Sequence, residues 1–307
     1  MNAKNDAVNI CFALEKKGIK ACVVSISRLC ELREDIETLH AQGKFDADFY
    51  REALSRFSFT PPDDLPGASS IIVAAIPRPQ NKLTFTLNGK VVEILLPPNQ
   101  VGFKDTILEM GKTINALLVH MGRRAILARL PLKLLAVRGG LAEYGRNNIA
   151  YVPGMGSFFE LAAFYSNLDC PGDTWSESRV MSRCAKCRSC ISSCPTGAIK
   201  AEHFMIRQEK CLTFHNERSA EYPFPEWISA SAHNCLIGCM SCQNSCPENK
   251  PFLGWFGDSG AFTEEETRLL LKETPATDLH PETIAKLERL SLLEDLSIVP
   301  RNLRVFL

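Results

Sequence analysis

The sequence predicts a layered α/β (α+β) domain, followed by a small cysteine-rich metal module and a short helical tail. Three observations carry that prediction. Before residue 170, short β-branched runs alternate with amphipathic helical stretches, the pattern of a mixed layered domain. Cysteines then crowd into two runs, at 184–194 and 239–246, with Cys211 between them. Past Gly260 the apolar residues return to helical spacing. The expected division is residues 1–175, 176–255 and 256–307, and 307 residues suit about two domains of roughly 150 residues each.

The elements follow in order. Residues 5–18 read as an amphipathic helix ending at Gly18, a suitable residue just past a helix end. Ile19–Ile26 has the β-branched character of a buried strand, and Glu31–Arg56 is charged and helical in pattern, stopping before Pro61 and Pro62. Ser70–Ile76 is a second buried strand. Leu83–Leu87 and Val91–Leu96 flank Asn88-Gly89, a strong hairpin signal. Lys104–His120 predicts a long helix, and Ala125–Val137 another, interrupted at Pro131. The apolar pattern of Ser157–Asn167 fits a strand or a helix equally. Glu264–Lys272 and Pro281–Leu296 predict two short helices, with Pro281 in the first turn.

Composition narrows the class. Hydrophobic residues at 45% and charged residues at 23% describe an ordinary globular chain. No apolar run reaches the roughly 18 residues needed to cross a bilayer. Met1–Cys11 reads MNAKNDAVNIC, without the apolar stretch of an export signal. The reading is therefore a cytoplasmic protein without a membrane partner, and thirteen cysteines in a reducing compartment point to thiols that serve metals rather than disulfides. A formal net charge of zero gives no overall bias toward nucleic acid. The balance is uneven locally, because Met110–Ala142 holds Lys112, Arg123, Arg124, Arg129, Lys133 and Arg138 and no acidic residue. Such a run is either a solvated helix face or a site for an anionic or carboxamide-rich ligand or an RNA backbone.

The cysteine spacing carries the chemistry. Cys184, Cys187, Cys190 and Cys194 form C-x2-C-x2-C-x3-C before Pro195, and Cys239, Cys242 and Cys246 form C-x2-C-x3-C before Pro247. The first run has the bacterial ferredoxin spacing, in which three thiolates hold one 4Fe–4S cluster and the fourth reaches the other. Zinc knuckles pair C-x2-C units, and a third and fourth cysteine at these intervals do not suit one tetrahedral ion. Two 4Fe–4S clusters store and pass single electrons. Spacing alone leaves Cys211 and Cys235 as rivals for the eighth ligand. Cys11, Cys22, Cys30 and Cys170 lack partner spacing and read as packing.

Between the basic run and the cysteines lies a glycine-rich block, Gly139–Asn148, then Gly154-Met155-Gly156. It lacks the G-x-G-x-x-G of a dinucleotide fingerprint. Glycine there permits close backbone approach to a large flat ligand, or simply marks a turn.

These residues resemble a family. LAVRGGLAEYGRNN (Leu135–Asn148), GSFFELAAFYSNLD (Gly156–Asp169), CAKCRSCISSCPTGAI, a lone EKC and GCMSCQNSCPENK are similar, in that order and spacing, to epoxyqueuosine reductase. The likeness covers roughly residues 65–255, with a weaker echo at Arg301-Asn302. It implies a nitroreductase-like domain that binds cobalamin with its nucleotide base detached, and a double-cluster ferredoxin-like module. Reductive dehalogenases share that arrangement. It further implies that Cys184, Cys187, Cys190 and Cys246 hold one cluster and Cys194, Cys211, Cys239 and Cys242 the other. Arg138, Gly139, Gly140, Gly145, Arg146 and Asn147 would contact the cobalamin.

Two departures stand out. Family members carry an aspartate, thought to protonate the substrate, where this chain has Arg124–Pro131 and no carboxylate. An acid must come from elsewhere: Tyr144 and Tyr151 are the first candidates, with Glu143, Glu160 and His120 behind them. Family members also continue into helical repeats that help hold tRNA, whereas this sequence ends at Leu307. The expectation is a cobalamin-dependent iron–sulfur reductase fed by a ferredoxin- or flavodoxin-type donor, acting on a small molecule or a modified tRNA. The alternatives are an electron-transfer or cobalamin-handling accessory protein, and a flavin-binding protein with appended clusters.

Overall fold

The computed structural model describes residues 3–52, 54–202 and 204–307. The order begins α1 (Ala3–Glu15), β1 (Lys20–Ser25), α2 (Leu29–Ala41), α3 (Ala47–Glu52) and β2 (Ser70–Pro77). Next come β3 (Gln80–Leu87), β4 (Lys90–Leu96), α4 (Phe103–Leu118), β5 (Ala125–Leu127) and α5 (Leu132–Arg138). Short strands β6 (Glu143–Tyr144) and β7 (Ala150–Tyr151) precede the longer β8 (Phe159–Ser166). The cysteine-rich stretch carries α6 (Ser189–Ser193), α7 (Leu212–Glu217) and α8 (Ser241–Asn244). The last elements are β9 (Phe256–Phe262), α9 (Glu264–Leu271), α10 (Pro281–Arg289) and α11 (Val299–Leu303). Among the described residues no helix is long and apolar enough to cross a membrane.

The chain divides into two compact units, residues 1–77 with 104–187, and residues 78–103 with 188–307. The first is built on an antiparallel sheet in the order β1-β2-β8-β5. Its central strands are covered on both faces. Ile72, Ala74, Ala162 and Phe164 face a core completed by Ile10 and Leu14 of α1 and Met110, Ile114 and Leu118 of α4. The alternate residues Ile71, Val73, Ala75 and Ala163 are buried as well. That double burial explains why β2 and β8 are apolar without alternation, and why periodicity could not decide β8.

The expected helix over Ala125–Val137 is corrected. Ala125–Leu127 is instead the edge strand β5, paired with β8, and Ala128 N–H continues the pairing to Ala163 O at 2.8 Å. Asn115 of α4 holds the strand from outside: its Nδ2 donates to Ala125 O at 3.0 Å and its Oδ1 accepts from Ala125 N–H at 2.8 Å. Only the part after Pro131 is helical, with proline at the start of α5, where its fixed φ is tolerated. The charged stretch Glu31–Arg56 likewise divides, into α2 and the short α3.

In the second unit β4-β3-β9 form a sheet, with β9 parallel to β3. Asn88 and Gly89 both have positive φ, 49° and 72°, the two-residue turn expected for this hairpin. Leu83, Phe85, Ile94 and Leu96 of the hairpin share a core with Phe262, Leu270, Leu287, Leu290 and Leu303. The C-terminal helices therefore supply much of this unit's interior. A capping box starts α9, Thr263 Oγ1 accepting from Glu266 N–H at 3.2 Å and Glu266 Oε2 from Thr263 N–H at 2.8 Å. The expected helix Pro281–Leu296 is shorter than its pattern, ending at Arg289, and Ser291 then takes a positive φ of 54°. Strand β9 has no sequence signal because its glycines read as turns. Gly260 is needed there for room: a Cβ would sit 2.5 Å from Leu290 Cδ1.

Candidate metal and cofactor site

Internal symmetry relates the two cysteine runs. Ser193 Oγ lies 3.4 Å from Cys190 O, and Ser245 Oγ lies 3.3 Å from Cys242 O. The two hydroxyls also bond each other, 2.7 Å apart, so the residues just before Cys194 and Cys246 are fastened together. The ends of α6 and α8 are thereby fixed in register. Several donors face sulfur. Ala198 N–H reaches Cys194 Sγ at 3.3 Å, and Asn234 Nδ2 reaches Cys239 Sγ at 3.2 Å. Burial pushes the Cys211 thiol up, opposed by the amides of Thr213 and Phe214, which donate to its sulfur.

Cys235 is arranged differently. It is fully buried, bridges to Leu95 and donates its S–H to Asn234 Oδ1 at 3.2 Å. Burial, then the neighbouring Cys239, pushes its thiol well up. Asn234 thus sits between a thiol that holds its proton and a sulfur that accepts one. Its Oδ1 also accepts from Met240 N–H at 2.8 Å, and its Nδ2 donates to Ser241 Oγ at 2.8 Å.

In the first unit the glycine-rich block forms a turn and a small hairpin. Gly139 ends α5 against β1; a Cβ on it would meet Val24 Cγ2 at 2.9 Å and Cys22 Sγ at 3.0 Å. Gly140 has φ 78° and lies beside Thr174. Strands β6 and β7 then pair, closed by Gly145 N–H to Ile149 O at 2.8 Å. At Gly145 a Cβ would lie 2.5 Å from both Asn147 Oδ1 and Tyr151 Cε2. The glycines let the protein's own elements close up, before any ligand is considered.

Of the site residues expected from sequence, Tyr144, Gly145, Arg146, Asn147 and Tyr151 lie on this hairpin, and Arg138, Gly139 and Gly140 on α5 and the turn after it. Asn147 is buried, donating Nδ2 to Tyr151 Oη at 3.0 Å and accepting Ile149 N–H at 3.3 Å. Tyr144 is buried, and burial, with the charge of Asp35 second, raises its phenol far above the ordinary tyrosine range. Arg146 donates Nη2 at 2.8 Å and Nε at 3.3 Å to Cys184 O, joining the hairpin to the first cysteine. Of the weaker acid candidates, Glu143 is exposed on β6, His120 is exposed after α4, and Glu160 is buried on β8.

Arg138 stands in a network that sequence reasoning missed. It pairs with Asp35 and, at 3.0 Å, with Glu31, both on α2, and lies 4.7 Å over the Trp175 ring. Trp175 Nε1 donates to Glu31 Oε2 at 2.8 Å. Arg28 pairs with Glu31 at 2.6 Å and Asp173 at 3.2 Å. Arg138 lies over 100 positions from Glu31 and Asp35 in sequence, as does Arg28 from Asp173, so only the tertiary fold joins them. The rest of the basic run is a dispersed surface. Lys112 pairs with Glu109, Arg123 with Asp169, Lys133 donates to Asn148 O, and Arg124 and Arg129 are exposed.

Comparison with known proteins fixes the kind of module. Residues 183–249 match the 4Fe-4S double cluster binding domain. An epoxyqueuosine reductase of Francisella cf. novicida is 29% identical over 245 residues, 73% of this chain and 66% of that protein. Another, from Aliivibrio fischeri, is 28% identical over 205 residues, 62% of this chain and 52% of that protein. The chain is similar to epoxyqueuosine reductases. It spans less than two thirds of the length of these curated relatives, 66% and 52%. Its fold is shared with solved epoxyqueuosine reductases. The structure of an epoxyqueuosine reductase with a modified tRNA stem loop overlays with TM-score 0.68 at 18% identity, covering 99% of this chain and 81% of that one.

Proposed function

We propose that this chain is a cobalamin-dependent iron–sulfur reductase of the epoxyqueuosine reductase kind. The observation that carries the reading is the pair of hydrogen bonds from Arg146 to Cys184 O. It fastens a hairpin holding two buried tyrosines to the first cysteine of an electron-storing module. Cys184, Cys187, Cys190 and Cys246 would hold one cluster, and Cys194, Cys211, Cys239 and Cys242 the other. Donors to Cys194, Cys211 and Cys239 suit thiolates, whereas Cys235 keeps its proton for Asn234. This favours Cys211 as the eighth ligand.

The first part of the chain, residues 1–175, would hold the cobalamin. A buried donor without a hydrogen-bond partner among the described residues, Arg138 Nε, fits an acceptor such as a corrin carboxamide. Gly139, Gly140, Gly145, Arg146 and Asn147 would line the rest of that contact. When bound, the clusters supply single electrons and the cobalamin a low-valent cobalt able to reduce an organic substrate. The chain's own work is positioning and proton supply. Tyr144 keeps its phenol protonated through neutral pH, as a donor must, and Tyr151 is held in one orientation by Asn147. Electrons would come from a low-potential ferredoxin- or flavodoxin-type partner in the cytoplasm.

The substrate would be a modified tRNA or a small organic molecule. The tRNA reading draws on the tRNA-bound relative of the same fold; the small-molecule reading draws on the carboxylate-free Arg124–Pro131 stretch. The test is anaerobic reconstitution with cob(II)alamin, measuring iron, cobalt and the cobalt paramagnetic resonance signal. About eight irons with one base-off cobalt would support the reductase. Turnover of an epoxyqueuosine-modified stem loop would then decide the substrate. Eight irons with no retained cobalt would sink the reductase in favour of an electron-carrying accessory protein.

A further inference from the structure

The geometry points to Arg146 as the residue that sets the reduction potential of the cluster held at Cys184, a role resting on the cluster assignment proposed above. Its guanidinium spends two N–H groups on one carbonyl oxygen, Cys184 O, at 2.8 and 3.3 Å. That carbonyl belongs to a proposed ligand residue, so a cation is held on the backbone of Cys184 itself. Reduction adds negative charge to a cluster. A nearby cation and hydrogen bonds around the ligand therefore favour the reduced form and raise the potential. Arg146 is only partly exposed, which limits screening by solvent.

The surrounding charges work in the same direction. Arg183, Lys186 and Arg188 are interleaved with Cys184, Cys187 and Cys190, whereas no charged residue lies between Cys239 and Cys246. The first three are exposed and so weaker. The donors to the second set of sulfurs, Asn234 Nδ2 on Cys239 and Ala198 N–H on Cys194, are neutral. Lys210, beside Cys211, turns 4.1 Å over the Trp227 ring and has Glu209 next to it in sequence. An electron given up by a reduced ferredoxin-type donor should then settle on the Cys184 cluster, the one joined to the glycine-rich hairpin. The donor is oxidised by one electron, that cluster is reduced by one, and no bond is made or broken.

The test is an anaerobic redox titration of the reconstituted protein, followed by the paramagnetic resonance of the reduced clusters, with iron measured in parallel. Arg146→Met should lower the potential of the upper cluster so that its reduction constant falls about tenfold, equivalent to about 59 mV for one electron. Arg146→Lys should fall between. Asn234→Ala, acting beside Cys239, should move only the lower cluster. Full iron in Arg146→Met with both potentials unchanged would overturn the role and leave the two-cluster reading standing, as would Arg146 and Asn234 variants shifting the same cluster. Wild-type protein that cannot hold about eight irons would instead overturn the reading beneath it. If Arg146→Met loses iron, Arg146→Gln, an uncharged donor of shorter reach, carries the same test.

Discussion

Replacing Cys211 and Cys235 in turn separates the two rivals for the eighth ligand. A 4Fe–4S cluster needs four protein ligands, so Cys211→Ala should release one whole cluster. Iron falls from about eight to about four per chain, and the visible absorbance of the clusters falls by half. Cys235→Ala should leave iron unchanged, because its thiol is already used as a donor to Asn234 Oδ1. The structural cost there is small. Asn234 Oδ1 still accepts from Met240 N–H at 2.8 Å, and its Nδ2 still reaches Cys239 and Ser241. What is lost is one weak hydrogen bond and the contacts of one buried sulfur, about 1 kcal/mol together. That corresponds to a fall of roughly 2–4 °C in Tm for a chain of this size class. Iron assay and thermal unfolding of anaerobically prepared variants give both numbers. Iron lost from Cys235→Ala and retained by Cys211→Ala would refute the reasoning outright.

Three further outcomes are expected. Gly145→Ala forces a Cβ to within 2.5 Å of Asn147 and Tyr151, and should cost about 1–3 kcal/mol in denaturant unfolding; a neutral result would mean the hairpin has slack. Tyr144→Phe should keep iron and cobalt yet abolish turnover, and unchanged turnover removes Tyr144 as the acid. Asp173→Asn tests the α2–Trp175 network through pH. Burial opposes ionisation of Asp173, but hydrogen bonds from Arg28, Ser25 and Trp175 outweigh it and hold the folded pKa below the ordinary 3.8. The stability Asp173 contributes is therefore complete above that value and lost as pH falls through the depressed folded pKa. Wild type and variant should differ at neutral pH and converge in acid; a constant gap would show that the carboxylate's charge is not what matters.

Legibility in this chain followed the distance over which each feature is decided. The Asn88-Gly89 hairpin was readable because two adjacent residues with positive φ settle the turn by themselves. The cysteine runs were readable because cluster ligation constrains spacing within about ten residues, and the double-cluster match at 183–249 covers them. Ala125–Leu127 became a strand because Asn115 and β8 capture it, and nothing in three aliphatic residues records those partners. Strand β9 was hidden for the opposite reason. Its glycines, placed to admit Leu290, mimic the composition of a loop.

The same division runs through the candidate site. Arg138 was found through its neighbours in the glycine-rich block, but its ion partners Glu31 and Asp35 come from α2 and carry no motif. Arg146 was read from the same block, but the hydrogen bonds of its guanidinium to the carbonyl of Cys184 carry no motif. A motif can name the residues that a ligand or a metal selects, because that selection is local. Charge around a site is set by whatever the fold brings near, and here that includes three carboxylates facing two guanidiniums around Trp175. Potentials and proton affinities, the quantities that decide what a reductase reduces, depend on those nonlocal charges, so they become arguable only once the packing of α2 against the glycine-rich turn is known.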